Sequence, residues 1–267
     1  MNKRDSLGDR MKQYEAVQKT FLIRRLPVII RLDGKSFHTF TRGMKKPYDD
    51  ILMVAMQDTM KYLCENIQGC VFGYTQSDEI TLVLTDYATL ETDAWFGYNI
   101  QKITSVSASM ATLEFNRVFK KLSEQLIEDY FEAWNTDDDD RKYCERMEKA
   151  MYNGAMFDAR VFSLPRHEVC NCLIWRQQDA VRNSIESAGQ SQFSHKELHK
   201  KTCKQIQEML IKEKGIYWDD YPTSFKRGSA CYKVPELKDG SVIRNKWKID
   251  TEIPLFTEER IFIERWI

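Results

Sequence analysis

No long apolar run is present. Nothing in the 267 residues approaches the roughly 20 consecutive apolar positions that span a bilayer, and the opening MNKRDSLGDRMKQYE lacks the apolar centre of a signal peptide. No membrane partner is expected, and the expected location is cytoplasmic. Net charge is missing as well: 40 basic side chains balance 40 acidic ones. No global field draws the chain onto a polyanion, so a nucleic-acid surface has to be a local patch. There is no Pro/Ser/Gly-rich linker and no internal repeat to divide the chain. Seven cysteines, an odd count without regular spacing, fit core thiols in a reducing compartment better than a disulfide framework. What is present, 42% hydrophobic and 12% aromatic residues, suffices for one substantial core.

Periodicity sets the expected elements. Residues 5–25 read as helical, and Pro27 resets the backbone before the wholly apolar start of a strand, Val28 to Leu32. Such a strand is a buried one. Asp49 and Asp50 can cap a helix in which Leu52, Met56, Met60, Leu63 and Ile67 recur, with Gly69 as its stop. CVFGYTQSDEITLVL reads as two strands, Cys70 to Tyr74 and Ile80 to Leu84, joined across Gln76 to Glu79. A long helix is expected over Ala94 to Leu126. Asp137 to Asp140 read as a solvated loop, followed by a helix from Arg141 to Met151 and a strand from Ala159 to Leu164 closed by Pro165. A helix from His167 to Ala188 should stop at Gly189, and Ser194 with Glu197 forms a capping-box pattern for another reaching Lys214. Strand, helix, hairpin, helix, strand and then helices make an α+β sandwich rather than an alternating doubly wound sheet.

The candidate chemistry starts at RLDGKSFHTF, residues 31–40. If the first strand and the hairpin lie side by side, Asp33 at one strand end can face Asp78 at the hairpin tip. Two such carboxylates repel unless cations sit between them. Magnesium is the natural occupant, because it takes carboxylate and carbonyl oxygens and keeps phosphates as further ligands. Two ions would clamp the attacking and leaving oxygens of a phosphoryl or nucleotidyl transfer. Gly34 would let its carbonyl approach a cation, while Lys35 and His38 add donors. The plain alternative is ordinary turn chemistry, Asp-Gly at a strand end and Ser-Asp-Glu at a hairpin tip.

RLDGKSFHTF, KKPYDD, YTQSDEITLVL and WRQQDAVRNSI, in this order and at these separations, resemble the tRNA-His guanylyltransferase family over about residues 28–232. The resemblance implies a polymerase- or cyclase-like palm, an antiparallel sheet backed by helices, over residues 1–235, with a tail over 236–267. It implies ATP or GTP as activating and incoming nucleotides, two Mg²⁺ ions, tRNA as partner and a homotetramer. Asp33, the Gly34 carbonyl and Asp78 would be metal ligands, with Glu79 as the acidic neighbour, in or supporting the ligand shell. The amides of Ser36, Phe37 and His38 would cradle a triphosphate. His38 and Lys46 would contact nucleotide, and Ser77 matches the serine of the family's SDE motif.

Departures from the family pattern narrow the reading. Eukaryotic members carry His-Ile-Asn-Asn-Leu-Tyr-Asn after Trp-Arg-Gln. Here the stretch is Val181 to Ser187, in which only Asn183 matches. The basic cluster near WFGYNIQKITS is reduced to Lys102, expected to hold phosphate. The pattern resembles the guanylyltransferase-like branch, so the expected activity is templated 3′-to-5′ addition to tRNAs truncated at the 5′ end. The alternatives are guanylate addition to tRNA-His, and an RNA-binding palm without catalysis.

Other features have plainer explanations. His195, His199 and Cys203 fall at i, i+4 and i+8 and would offer three metal-type ligands on one helical face, although no fourth ligand is evident. Lys196, Lys200, Lys201 and Lys204 make either a solvated face or a phosphate-contacting patch for tRNA. Trp175 is expected against the sheet, with RNA stacking as the other option. Lys226 and Arg227 resemble the family's basic turn, and a simple basic hairpin turn reads equally well. The tail's apolar end, Ile261 to Ile267, can pack on the body or on a neighbouring subunit.

Overall fold

The computed structural model describes residues 6–132, 137–238 and 242–267. Its centre is one antiparallel sheet of six strands in the order β4-β1-β3-β2-β5-β6, built from β1 (Val28–Gly34), β2 (Cys70–Gln76), β3 (Glu79–Leu84), β4 (Phe157–Ser163), β5 (Ser229–Lys238) and β6 (Val242–Asp250). Ten α-helical segments are found among the described residues: α1 (Ser6–Ala16), α2 (Phe37–Phe40), α3 (Asp50–Asn66), α4 (Ile100–Glu132), α5 (Asp138–Asn153), α6 (Arg166–Gln192), α7 (His195–Leu198), α8 (Cys203–Met209), α9 (Thr223–Arg227) and α10 (Ile261–Glu264).

Alternation along the strands divides the core in two. Val28, Ile30, Leu32, Ile80, Leu82 and Leu84 point to one face and pack with residues of α3, α4 and α5, including Met56, Met60, Phe115, Phe119 and Met147. Ile29, Phe72, Tyr74 and Val83 point to the other, where Val169 and Leu173 of α6 cover them together with Ile253, Phe256, Phe262 and Ile263 of the C-terminal segment. β1 is thus apolar on both faces because both are covered. The tail packs on the body: the Gln177 side chain donates to the Pro254 carbonyl at 2.9 Å and accepts from the Phe256 amide at 2.8 Å. Pro235 lies within β5, paired with Asn245 of β6, so the sheet runs across the boundary expected there.

Four expectations are corrected. The first helix ends at Ala16, with residue 5 outside the described residues. Further on, Phe21 bridges Asn99, Leu22 donates to Tyr98, and Asp86 accepts from the Arg24 side chain and the Arg25 amide. These contacts hold the segment in turns and a short bridge rather than in a helix. They also explain the interruption before α4, where Phe96, Gly97 and Tyr98 all take positive φ. Asp137 to Asp140 form no loop: Asp137 caps α5, accepting from the Asp139 and Asp140 amides at 2.9 Å, and the other three acids fill the first turn. Acidic charge is favourable there, at the positive end of the helix dipole. Gly189 does not end α6. A Cβ on it would lie 2.6 Å from Ile206 Cγ2, so glycine serves close approach of α8. The helix expected from Ser194 to Lys214 keeps its capping box but breaks at Lys200, whose φ is 60°. Thr202 then caps α8, and a π turn follows over Leu210–Lys214.

The stretch between α2 and α3 is fixed by one carboxylate. Asp49, 4% exposed, accepts from the Leu52 amide, the Lys45 amide and the Tyr143 hydroxyl at 3.2, 3.1 and 2.6 Å. Asp49→Ala removes a helix cap and orphans a buried hydroxyl. It should lower stability by about 2 to 3 kcal/mol, read as a lower urea midpoint at unchanged slope.

Candidate active site

β1 lies between β4 and β3, and directly opposed residues of an antiparallel pair share a face. Asp33 is opposite Glu79 on one side and Asp158 on the other. Two residues back, Arg31 is opposite Thr81 and Arg160. A row of three acids therefore stands beside a row holding two arginines, all on the face that α6 covers. Contacts confirm the placement: Arg160 reaches Asp33 and Asp158 at 3.5 Å each, and Arg31 lies 3.9 Å from Glu79. Glu79, 7% exposed, takes its shortest contact from Arg176 of α6, at 2.9 Å.

The β2–β3 hairpin brings in the remaining acid. Ser77 and Asp78 form its two-residue turn, and Ser77 has a φ of 49°. The Gly34 amide donates to the Asp78 carbonyl at 3.0 Å, which ties the hairpin tip to the end of β1. Burial, and with it the charge of Asp33, pushes the Asp78 carboxyl above its ordinary value, while hydrogen bonds from its own backbone and from Ser77 pull the other way. Glu79 is also raised, chiefly by burial, against the lowering effect of Arg176 and Arg31. The negative charge of Asp33 thus adds to the burial of Asp78, whereas Glu79 has two guanidinium counter-charges.

Among the described residues, no three His, Cys, Asp or Glu side chains converge as a metal-ligand group. A cation between Asp33 and Asp78 would complete its shell with backbone carbonyl and phosphate oxygens. Such a hard-oxygen set suits Mg²⁺, which is bound by one or two carboxylates plus phosphates. The residues fit the ion. Gly34 has a steric reason to be glycine: a Cβ there would lie 2.2 Å from the Phe37 ring. Phe37 is accordingly buried among Phe40, Phe115 and Phe157, so its side chain is core and only its amide is available to a ligand. Ser36 takes a left-handed backbone, φ 57°, and the amides of Phe37 and His38 open α2, where a helical turn supplies no acceptor. The Lys35 amide is spent on Met156, while the side chains of Lys35, His38 and Lys46 are exposed.

A cleft of about 150 Å³ opens beside the hairpin tip, lined by Tyr48, Gln57, Gln76, Ser77, Asn183 and Phe225 among others. The rings of Tyr48 and Phe225 lie 4.9 Å apart and tilted by 33°, and the Ser187 hydroxyl donates to the Pro47 carbonyl at 2.7 Å. Ser77 and Asn183, far apart in sequence, share this cleft. Lys46 adjoins it through Pro47.

Other expected residues stand apart. The Lys102 ammonium lies over the Phe96 ring, and among the described residues no ion pair joins it to the acids. Lys226, beside Trp218, and Arg227 form the last turn of α9, a helix terminus and not a hairpin turn. Lys200 and Lys201 sit in the break between α7 and α8, and Lys204 is on α8, so these lysines do not line one helix. His195 and His199 for the same reason share no helical face with Cys203. Trp175 is not buried against the sheet but 51% exposed; its neighbour Arg176 is the buried one. Arg31, Asp158 and Arg160 were not singled out from the sequence, and Arg176 was weighed only with Trp175 and Gln177 as an RNA contact. The i, i+2 spacings in Arg-Leu-Asp and Asp-Ala-Arg carry the signal for the first three.

The profile of the family described as tRNAHis guanylyltransferase (Thg1) matches residues 8–165, more than half of the chain. The chain belongs to this family. A solved bacterial tRNA(His) guanylyltransferase-like protein in complex with ATP is 41% identical, with a TM-score of 0.81 over 98% of this chain and 99% of that one. A second such structure, in complex with GTP, gives 38% and 0.78. The Saccharomyces cerevisiae tRNA(His) guanylyltransferase, at 20% identity and a TM-score of 0.64, shares the fold. An uncharacterized protein of Acanthamoeba polyphaga mimivirus is 27% identical over 263 residues, 92% of this chain and 84% of that protein. The α+β architecture is the palm-like one of these structures, the chain is a nucleotidyltransferase of the family, and it is more similar to the bacterial guanylyltransferase-like proteins than to the Saccharomyces enzyme.

The buried Glu79–Arg176 pair yields a prediction. Arg176→Met leaves a desolvated carboxylate without its nearest counter-charge and should cost about 3 kcal/mol or more. Asp33→Asn, at a half-exposed strand end, should cost less than about 1 kcal/mol. Chemical denaturation of the two variants checks the contrast.

Proposed function

We propose that this nucleotidyltransferase adds nucleotides in the 3′-to-5′ direction, under template control, to the 5′ end of truncated tRNA. The observation that carries the reading is the placement of Asp33 and Asp78 at an adjoining strand end and hairpin tip, tied by the Gly34–Asp78 backbone hydrogen bond beside a cleft lined by Tyr48, Gln76, Ser77 and Asn183. The 41% and 38% identity to guanylyltransferase-like proteins in complex with ATP and GTP supports ATP and GTP as its nucleotides.

In this reading Asp33, the Gly34 carbonyl and Asp78 hold two Mg²⁺ ions, which when bound polarise phosphoryl oxygens and acidify an attacking hydroxyl. The chain's own groups do the positioning. The amides of Ser36, Phe37 and His38 and the side chains of Lys35, His38 and Lys46 receive the triphosphate. Tyr48 and Phe225 wall the base, and Ser77 and Asn183 offer hydrogen bonds to the nucleoside. Glu79 is occupied by Arg176 and Arg31, so it fixes the strand end carrying Asp33 without ligating an ion. Lys102, Lys200, Lys201, Lys204, Lys226 and Arg227 remain available to tRNA phosphates. The assembly is a homotetramer in the cytoplasm, and light scattering returning a monomer would refute that part.

The test is incubation with Mg²⁺, labelled nucleotides and two RNAs: a tRNA lacking its first nucleotide, and an intact tRNA-His lacking its extra guanylate. Addition to the truncated tRNA alone, of the nucleotide complementary to the opposite position, is the expected result. Guanylate added to the intact tRNA-His alone would replace this reading with the tRNA-His guanylyltransferase one, and addition to neither would leave an RNA-binding palm. Asp33→Ala and Asp78→Ala should each reduce addition at least about a thousandfold while remaining folded. Activity within tenfold of the parent would remove these residues from the ligand set.

A further inference from the structure

The cleft beside the hairpin tip and the exposed Trp175 lie at different points along α6. Both involve α6: Asn183 lines the cleft, while Arg176, next to Trp175, meets Glu79 beneath the acid row. Eight residues of helix separate Trp175 from Asn183, about 12 Å at 1.5 Å per residue. A transfer reaction needs two substrates at the acids. With the nucleoside in the cleft, the surface at Trp175, whose neighbouring Arg31 and Arg176 contact Glu79, is free for the second.

That surface is built for a flat, anionic group. Trp175 is the one exposed tryptophan among the described residues, and its ring has the Arg176 guanidinium 3.5 Å from its centre and that of Arg31 at 5.7 Å. Arg176 is itself fixed by Glu79 at 2.9 Å, so the indole is backed by an anchored cation rather than left on a free rotamer. Arg160, half exposed, reaches Asp33 at 3.5 Å and offers a phosphate a guanidinium directly beside the reacting centre. An exposed indole supported by guanidinium groups, next to acids that handle phosphates, matches base stacking on an aromatic platform.

We propose that the free face of Trp175 stacks the 5′-terminal base of the RNA, with Arg160 beside its phosphate. This rests on the function proposed above and names the acceptor's subsite. The platform places the RNA end at the acids by its flat base, leaving its sequence unread, since every base has a face to stack.

The experiment uses a 5′-phosphorylated RNA hairpin with 2-aminopurine as its 5′-terminal base and a dye at its 3′ end, with ATP affinity measured separately by calorimetry. The parent and Trp175→Phe should quench the 2-aminopurine and bind within about threefold of each other. Trp175→Ala should bind RNA about tenfold more weakly, without quenching and with ATP affinity unchanged. A Trp175→Ala variant that binds and quenches like the parent overturns the platform alone. Equal losses of ATP and RNA affinity also overturn it, by showing that the indole only supports the fold. A parent that binds ATP but no RNA overturns the function reading as well.

Discussion

The site depends on the antiparallel register of β1 between β3 and β4. Because Asp33 is opposite both Glu79 and Asp158, one strand alignment sets three carboxylates in a line, and the same alignment sets Arg31 and Arg160 behind them. A slip of one residue would turn Asp33 toward the apolar layer of α3 and α4 and Leu32 toward α6. The register is held by the alternation Val28, Ile30, Leu32 against Ile29, so the residues that stabilise the sheet are also those that aim the acids. The acids themselves contribute little stability, since burial raises both Asp78 and Glu79.

Charge is partitioned unevenly in this line. Arg176 and Arg31 answer Glu79, and Arg160 is shared between Asp33 and Asp158. Among the described residues, Asp78, on the hairpin turn, has only its neighbour Ser77 and the backbone. The uncompensated negative charge therefore lies between β1 and the hairpin tip, which is where a divalent cation gains most. Glu79, though adjacent to Asp78 in sequence, faces the arginines.

Much of this was legible in the sequence, and what was not has physical causes. The apolar run at Val28, the hairpin around Ser77-Asp78 and the capping residue Asp49 are local signals, and each element formed within a few residues of its expected place. Asp33 and Asp78 were candidates because a strand end and a turn are recognisable from short stretches, and the family resemblance favoured them over ordinary turn chemistry. The misreadings concern tertiary context. Gly189 reads as a helix stop until α8 is seen to pack on it, and residues 17–25 read as helical until Asp86 and Tyr98 supply partners for a non-helical chain. Trp175 and Arg176 exchanged roles: hydrophobicity favours burying the indole, but the buried Glu79 needs a cation, and the ion pair takes the inner position.

The central claim is that Asp33 and Asp78 share divalent ions. The most direct measurement is the stoichiometry of Mn²⁺ bound in the presence of ATP, counted by electron paramagnetic resonance for the parent, Asp33→Asn and Asp78→Asn. The account predicts two ions per parent chain and loss of at least one in each variant, with the variants folded. Unchanged stoichiometry in both variants would contradict it.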